Sequence, residues 1–273
     1  MSRIAGRFQA LAADGRKALI TYVVAGDPSQ DITVPLLHEM VANGADILEL
    51  GVPFSDPMSE GPTIQLGHER ALENGTRLRG VLELVREFRR EDPDTPLLLM
   101  GYANPVEHMG YAAFADAAHE AGVDALLTVD IPPEEVVNVN SELQRVGMDN
   151  IFLIAPTTPE PRIDLITEQA SGFIYYVSVK GVTGAGHLDV ADVAHHVDAI
   201  RAHSDLPVAV GFGIKDAASA RAVAATADGV VVGSALVQRV ADAINGGESE
   251  RAAIAAAGAL VREIRAGIDQ VAS

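Results

Sequence analysis

A glutamate interrupts the apolar segment ILELG at residues 47–51, whose composition is that of a short buried strand. Strand alternation puts Glu49 on the same face as Ile47 and Gly51. A buried carboxyl group is costly unless it is paired or keeps its proton, and desolvation raises its pKa. Glu49 is therefore a candidate general acid and base. From these residues alone, a glutamate hydrogen-bonded inside a structural layer is an equally good interpretation.

Two further carboxylates lie in the segment that follows this strand. Asp56 and Glu60 stand among prolines and just before Gly61. A loop rich in proline and glycine after a strand is a common place for an active-site wall. A single acidic residue in such a loop is usually only solvated, but two of them downstream of a buried glutamate favour a functional site.

Glycines cluster in three later segments, KGVTGAG at residues 180–186, Gly211-Phe-Gly213 and Gly233-Ser234. Each segment follows a predicted strand. Glycine lets backbone N–H groups approach an anion closely, and the N-terminus of a following helix adds a favourable dipole. The pattern predicts a phosphate site, with tight turns between strands and helices as the alternative interpretation.

Composition narrows the classes of function. The chain has 38 acidic against 20 basic residues, a formal net charge of −18, which argues against binding nucleic acid. An anionic ligand would therefore need local backbone donors. There are no cysteines, which excludes disulfides, thiolate zinc sites and cysteine nucleophiles and fits a cytoplasmic enzyme. No apolar run approaches the roughly 20 residues that span a bilayer.

Motifs for nucleotides and metals are missing from the sequence. Neither the G-x-G-x-x-G fingerprint nor a Walker P-loop is present, and the histidines lack the spacing of H-E-x-x-H. His195 and His196 are adjacent on a predicted helix and so face different ways, which favours a surface role over a metal site. We therefore expect no metal.

Eight short apolar runs recur along the chain, and they are largely continuous rather than alternating, as in strands buried on both faces. They are Ala18–Val24, Ala45–Leu50, Leu97–Met100, Val123–Val129, Ile151–Ile154, Phe173–Val179, Pro207–Val210 and Gly229–Val232. Segments with helical periodicity lie between them, among them Asp31–Val41, Val81–Arg89, Tyr111–His119 and Val190–Ala202.

This alternation predicts one α/β domain over residues 1–273. The length favours a (β/α)8 TIM barrel, although the pattern alone also allows an open doubly wound sheet. Ile4, Phe8 and Leu11 recur at helical spacing before the first strand. They predict an additional N-terminal helix.

Several motifs in order resemble those of the tryptophan synthase α chains. They are AGDP (25–28), ELGVPFSDP (49–57), GPTIQ (61–65), GYANP (101–105), GVTGA (181–185), GFGI (211–214) and GSA (233–235). Any one tripeptide is weak, but the ordered set covers nearly the whole chain and is specific. The resemblance implies the (β/α)8 barrel rather than the open sheet.

The resemblance also implies a reaction, the retro-aldol cleavage of indole-3-glycerol phosphate to indole and glyceraldehyde 3-phosphate. Glu49 would be the catalytic acid and base, moving protons between the C3′ hydroxyl and C3 of the indole ring. The family's second catalytic carboxylate is an aspartate, and its place here is taken by Glu60. Glutamate reaches one methylene further, and we expect Glu60 to work with an adjusted loop backbone.

By the same resemblance, the substrate pocket would be lined by Tyr22, Tyr102, Tyr175, Phe212 and the lid residue Thr183. The phosphate would be bound by Gly184, Gly213, Gly233 and Ser234. The family implies a pyridoxal-phosphate-dependent β chain as partner in an α2β2 complex, contacted by Pro53, Asp56 and Pro57. The chain itself would need no cofactor and no metal.

Three other interpretations are compatible with parts of the sequence. Another phosphate-binding barrel, such as an isomerase of a phosphoribosyl intermediate, would share the glycines after strands seven and eight but would not explain Glu49 and its loop. A stand-alone indole-releasing lyase would have the same active site without a β partner. A non-catalytic activator of the β chain is favoured only by Glu60.

Overall fold

The eight predicted strands form one closed barrel in a computed structural model that describes residues 2–178, 190–211 and 213–271. All pairings are parallel, neighbours follow chain order, and β8 returns to β1. The strands are β1 Ala18–Val24, β2 Ile47–Gly51, β3 Leu97–Gly101, β4 Ala125–Thr128, β5 Asp149–Ile154, β6 Ile174–Val177, β7 Val208–Gly211 and β8 Gly229–Val232. The (β/α)8 prediction is confirmed, and the open sheet is excluded because β1 pairs with both β2 and β8.

Helices follow the strands around the outside of the barrel. Within the described residues they are α1 Arg3–Ala13, α2 Gln30–Ala42, α3 Pro62–Glu73, α4 Leu78–Phe88, α5 Ala103–Met109, α6 Tyr111–Ala121, α7 Val137–Val146, α8 Glu160–Gln169, α9 Val190–Arg201, α10 Ala217–Ala224, α11 Ser234–Asn245 and α12 Glu250–Asp269. The four helices predicted from periodicity correspond to α2, α4, α6 and α9. None of the described helices is long and apolar enough to cross a membrane.

Strand alternation divides the apolar side chains into two layers. Residues such as Leu19, Leu48 and Leu50 point outward and pack under the helices. Residues such as Ile20 and Ile47 point into the barrel, where they belong to a separate cluster. The strands are buried on both faces, which is why their sequences read as continuous apolar runs.

The N-terminal helix α1 closes one end of the barrel. Ile4, Phe8 and Leu11 are buried in the interior cluster, and the Phe8 and Phe173 rings lie 5.7 Å apart. The predicted additional helix is thus confirmed, and its apolar face fills the end where the strands begin. A functional site is therefore expected at the opposite end, where the strands finish.

Aspartates at the closed end tie neighbouring strands together. The carboxylates of Asp46, Asp124 and Asp228 accept backbone N–H groups of the adjacent strand at 2.8–3.0 Å. Each aspartate also forms an ion pair with an arginine at 2.9 Å; the partner of Asp46 is the buried Arg265. Carboxylates at this end therefore stabilise the barrel. Glu49, by contrast, lies within β2 opposite Tyr22 and has no such partner among the residues that the structure describes.

Candidate active site

Glu49 lies inside the barrel beside Tyr22. The register of β1 and β2 places these two residues opposite each other, and both are buried, Glu49 with 1% of its surface exposed. Neither carboxylate oxygen of Glu49 has a hydrogen-bond partner among the described residues. The interpretation of Glu49 as a hydrogen-bonded structural residue therefore lacks the contacts that it requires.

The chemistry of Glu49 follows from this burial. Desolvation, with a further contribution from the charge of Glu60, raises the pKa of Glu49 from 4.5 to about 8. A carboxyl group with this pKa keeps its proton at neutral pH and can both give and take it. Glu49 thus has the properties of a general acid and base.

Glu60 reaches the same space from the loop between β2 and α3. It is half-buried, and burial raises its pKa to about 7. The backbone around it is held on both sides, because Gln65 Nε2 donates to the Glu60 carbonyl at 2.9 Å and the Ser59 N–H donates to the Tyr102 hydroxyl at 3.0 Å. The charge of Glu60 also raises the pKa of Glu49, so the protonation of one carboxyl group affects that of the other.

Three tyrosines complete the pocket around this pair. After burial itself, the charges of Glu60 and Glu49 raise the pKa of the Tyr22 hydroxyl, with smaller contributions from Tyr102 and Tyr175. Tyr175 is likewise affected by both glutamates. The structure therefore brings together all five side chains, which the sequence separates by more than a hundred positions.

Glycines at the strand ends give these tyrosines room. A Cβ on Gly51 would collide with the Tyr22 hydroxyl, and one on Gly211 with the Tyr175 hydroxyl. The Cα of Gly233 packs against the ring side of Tyr22, where an added Cβ would lie 3.3 Å from the Tyr22 Cβ. The approaches at Gly51 and Gly211 require residues without side chains, whereas an added Cβ at Gly233 would only be tight.

Two of the predicted phosphate-binding positions lie where backbone donors are available. Gly233 is the N-cap of α11 and Ser234 is its first residue, so their end of the helix has N–H groups without intrahelical partners. Gly213 has φ of +74°, a conformation that favours glycine. Because Gly233 adjoins Tyr22, this helix end borders the tyrosine pocket. Thr183, Gly184 and Phe212 lie outside the described residues.

Residues 53–57 belong to the β2–α3 loop and differ in exposure. Asp56 is exposed and Pro57 is half-buried, whereas Pro53 is buried in the chain itself. Met58, next to them, has 78% of its surface exposed. An exposed methionine beside the pocket loop was not singled out from the sequence.

His68 is a pocket residue that the sequence analysis missed. It is buried on α3, its Nδ1 accepts the Phe54 N–H at 3.1 Å, and its Nε2 lies 3.5 Å from the Tyr22 hydroxyl. The available signal was its spacing with Ile64 and Ala71, which marks the buried face of a helix. That spacing shows burial but no contact partner.

The other histidines that the structure describes give no sign of a metal site. No group of three metal-ligating side chains occurs in the described parts of the chain. His196 stacks on Tyr176 with ring centroids 5.4 Å apart, and His195 is exposed. The two histidines differ in burial, but their rings meet edge to face with centroids 5.6 Å apart, so the prediction that they face different ways holds only in part.

The chain is similar to known proteins over its whole length. The family model described as "Tryptophan synthase alpha chain" matches residues 8–267. The tryptophan synthase alpha chain of Thioalkalivibrio sulfidiphilus is 59% identical over 269 residues, 98% of this chain and 100% of that one. The Burkholderia mallei alpha chain is 54% identical over 272 residues, with coverage of 100% and 98%.

Solved structures agree in fold. Subunit alpha of tryptophan synthase from Legionella pneumophila superposes with a TM-score of 0.91 at 43% identity and 99% coverage of both chains. Tryptophan synthase from Mycobacterium tuberculosis, in an aminoacrylate-bound form, gives a TM-score of 0.86 at 34% identity, with 98% of this chain and 100% of that one covered. The chain therefore belongs to the tryptophan synthase alpha chain family, whose members are lyases that cleave indole-3-glycerol phosphate.

Proposed function

We propose that this chain cleaves indole-3-glycerol phosphate into indole and glyceraldehyde 3-phosphate, with Glu49 as the group that transfers protons. The observation that carries this proposal is the Glu49 carboxyl group, buried and without a partner among the described residues. A buried polar group left unpaired costs free energy. A substrate that offers a hydroxyl group and a basic carbon to Glu49 removes that cost.

Glu49 alone can donate and take up the protons that the reaction moves. Protonated Glu49 donates to C3 of the indole ring, which places positive charge on the ring nitrogen. Glu49 then takes the proton of the C3′ hydroxyl. The oxygen electrons form the aldehyde carbonyl, the C3–C3′ bond breaks, and its electron pair restores the neutral indole ring. Glu49 ends the cycle protonated, as it began.

Glu60 has the complementary task in this proposal. As a carboxylate, it accepts the indole N–H and stabilises the positive charge that forms on the ring. Gln65 and, through Ser59, Tyr102 hold the backbone of this loop, and we propose that its course accommodates the extra methylene relative to aspartate. Charge stabilisation by a fixed group is usually a large contribution to catalysis.

The remaining pocket residues bind the two ends of the substrate. Tyr22, Tyr102 and Tyr175 surround the carboxyl pair, and Phe212 and the lid residue Thr183 are proposed to complete this wall. We propose that the phosphate binds at the N-terminus of α11, at Gly233 and Ser234, and that Gly213 and Gly184 supply further backbone N–H groups. Local donors of this kind offset the net charge of −18.

The proposed partner is a tryptophan synthase β chain, which would carry the pyridoxal phosphate and pair with this chain as α2β2 in the cytoplasm. Asp56 and Met58 are exposed and Pro57 is half-buried in the β2–α3 loop, whereas Pro53 is buried. A methionine with 78% of its surface exposed suits an interface. Contact there would act directly on the loop that holds Glu60.

The activity is tested by release of glyceraldehyde 3-phosphate from indole-3-glycerol phosphate, with and without a β chain. We expect slow turnover of the isolated chain, faster turnover with the partner, and a loss of about 10² to 10⁴-fold in Glu49→Gln. No release under either condition would leave the non-catalytic activator as the better interpretation.

The partner is tested by gel filtration of the chain mixed with a β chain. Met58→Asp should weaken the complex, because a charge would be buried in the interface. Leu165→Asp changes an apolar residue of α8 that is 45% exposed and serves as the matched control. Equal effects of the two variants would place the interface elsewhere, and no complex at all would favour the stand-alone lyase.

A further inference from the structure

His68 connects two parts of the pocket that belong to different elements. Its Nδ1 accepts the Phe54 N–H from the β2–α3 loop at 3.1 Å, and its Nε2 lies 3.5 Å from the Tyr22 hydroxyl at the end of β1, the far end of hydrogen-bond range. His68 is 1% exposed. Because a hydroxyl group can donate or accept, the partner of Nδ1 decides which ring nitrogen carries the proton.

The Phe54 amide decides the arrangement of protons. A backbone N–H can only donate, so Nδ1 must be unprotonated and the ring proton must lie on Nε2. Burial acts in the same direction, because it lowers the pKa of His68 to about 4 and keeps the ring neutral. The Nε2–H therefore points at the Tyr22 oxygen, which accepts.

The phenol proton of Tyr22 is then directed away from His68. The hydroxyl group lies against Gly51, which is two residues after Glu49 and on the same inward face of β2. No second partner for it occurs among the described residues. Burial and the charges of Glu60 and Glu49 raise the pKa of Tyr22, so its hydroxyl group stays neutral and keeps a proton to donate.

The helix that carries His68 is firmly placed. Arg70 of α3 makes two hydrogen bonds to Asp27, at 2.7 and 3.0 Å, just after β1. A Cβ on Gly67 would lie 2.9 Å from the Asp27 carboxylate, so α3 packs closely on the end of β1. The loop held by His68 is also held by Tyr102, whose ring stacks on Phe54 at 4.9 Å.

We propose that His68 is a positioning residue for the reaction, which holds the Glu60 loop through the Phe54 amide and orients the Tyr22 hydroxyl so that it donates into the pocket. This inference rests on the proposed function for its effect on turnover, but the proton arrangement can be tested without substrate. His68 touches neither carboxyl group, and it acts through Tyr22 and Phe54.

The first experiment is ¹⁵N NMR of the chain labelled at histidine, with His68→Asn to assign the signal among the eight histidines. We expect a pyridine-like Nδ1 and a protonated Nε2 that stay unchanged from pH 8 down to pH 5.5. A proton on Nδ1, or titration of His68 in this range, would overturn the inference whether or not the chain cleaves indole-3-glycerol phosphate.

The second experiment separates the two contacts by substitution. Asparagine keeps an acceptor near the Nδ1 position, so His68→Asn should hold the loop and lose the Tyr22 contact. Glutamine reaches the Nε2 position, so His68→Gln should do the reverse. One neutral hydrogen bond corresponds to a loss of up to about tenfold in kcat, and we expect that loss in His68→Asn and in Tyr22→Phe, with little change in KM.

The double variant is decisive for the linkage. If His68 acts through the Tyr22 hydroxyl, His68→Asn combined with Tyr22→Phe should lose no more kcat than Tyr22→Phe alone. Multiplied losses would overturn the inference. Circular dichroism shows that each variant is folded, and His119→Asn, an exposed histidine on α6, is the control. Wild-type chain without activity would refute the proposed function, and the NMR result would still decide the proton arrangement.

Discussion

Replacing Glu49 by glutamine should stabilise the chain, and by more as the pH rises. The pKa of Glu49 is 4.5 in an ordinary setting and about 8 in the folded chain. Between these values the folded chain holds a proton that the unfolded chain releases. The contribution of Glu49 to the free energy of unfolding is therefore most favourable below pH 4.5 and is lost as the pH rises through about 8. Glutamine resembles the protonated carboxyl group and has no such dependence.

The magnitude follows from the size of the pKa difference. Each pH unit inside the window corresponds to about 1.4 kcal/mol. Glu49→Gln should thus exceed the wild type by about 1 kcal/mol at pH 5 and about 3 kcal/mol at pH 7. The carboxyl group of Glu49, which the proposed reaction needs, therefore lowers the stability of the fold at neutral pH.

Urea unfolding followed by circular dichroism at pH 5, 6, 7 and 8 measures this difference, since the chain has no tryptophan for fluorescence. Glu263→Gln on α12 is the control, because its side chain is exposed and meets water in both states. A stability difference that does not change with pH, or a glutamine variant less stable than the wild type at pH 8, would refute the reasoning.

Three further outcomes are expected. The pH profile of kcat/KM should be bell-shaped with a maximum between about pH 7 and 8, because in that range Glu60 has lost its proton and Glu49 still holds one. In Glu60→Gln the rising limb should vanish and the falling limb should move to lower pH. An unchanged profile would contradict these roles. Arg265→Ala leaves the Asp46 carboxylate buried without its arginine, so urea unfolding should show a loss of about 3 kcal/mol, against little loss in the exposed Arg262→Ala. Gly211→Ala should raise KM and lower kcat because its Cβ displaces the Tyr175 hydroxyl, whereas Gly80→Ala, in open space on α4, should leave both unchanged in a steady-state assay.

Much of the fold is determined locally by the sequence. Strands such as Ala18–Val24 are predicted at their observed bounds, because a strand buried on both faces must be apolar throughout. The same rule makes Glu49 conspicuous, since one charged residue in such a run needs a reason. The N-terminal helix was readable from the spacing of Ile4, Phe8 and Leu11.

Closure of the barrel and the contacts inside the pocket were decided only by the tertiary structure. Periodicity cannot distinguish a closed sheet from an open one, because both bury the same faces, and the pairing of β1 with β8 is a contact between residues more than 200 positions apart. The effect of Glu60 on the pKa of Glu49 and the contacts of His68 with Tyr22 and Phe54 depend on distances across three elements. Sequence spacing specifies which face of an element a residue lies on, but only packing decides which side chain it meets.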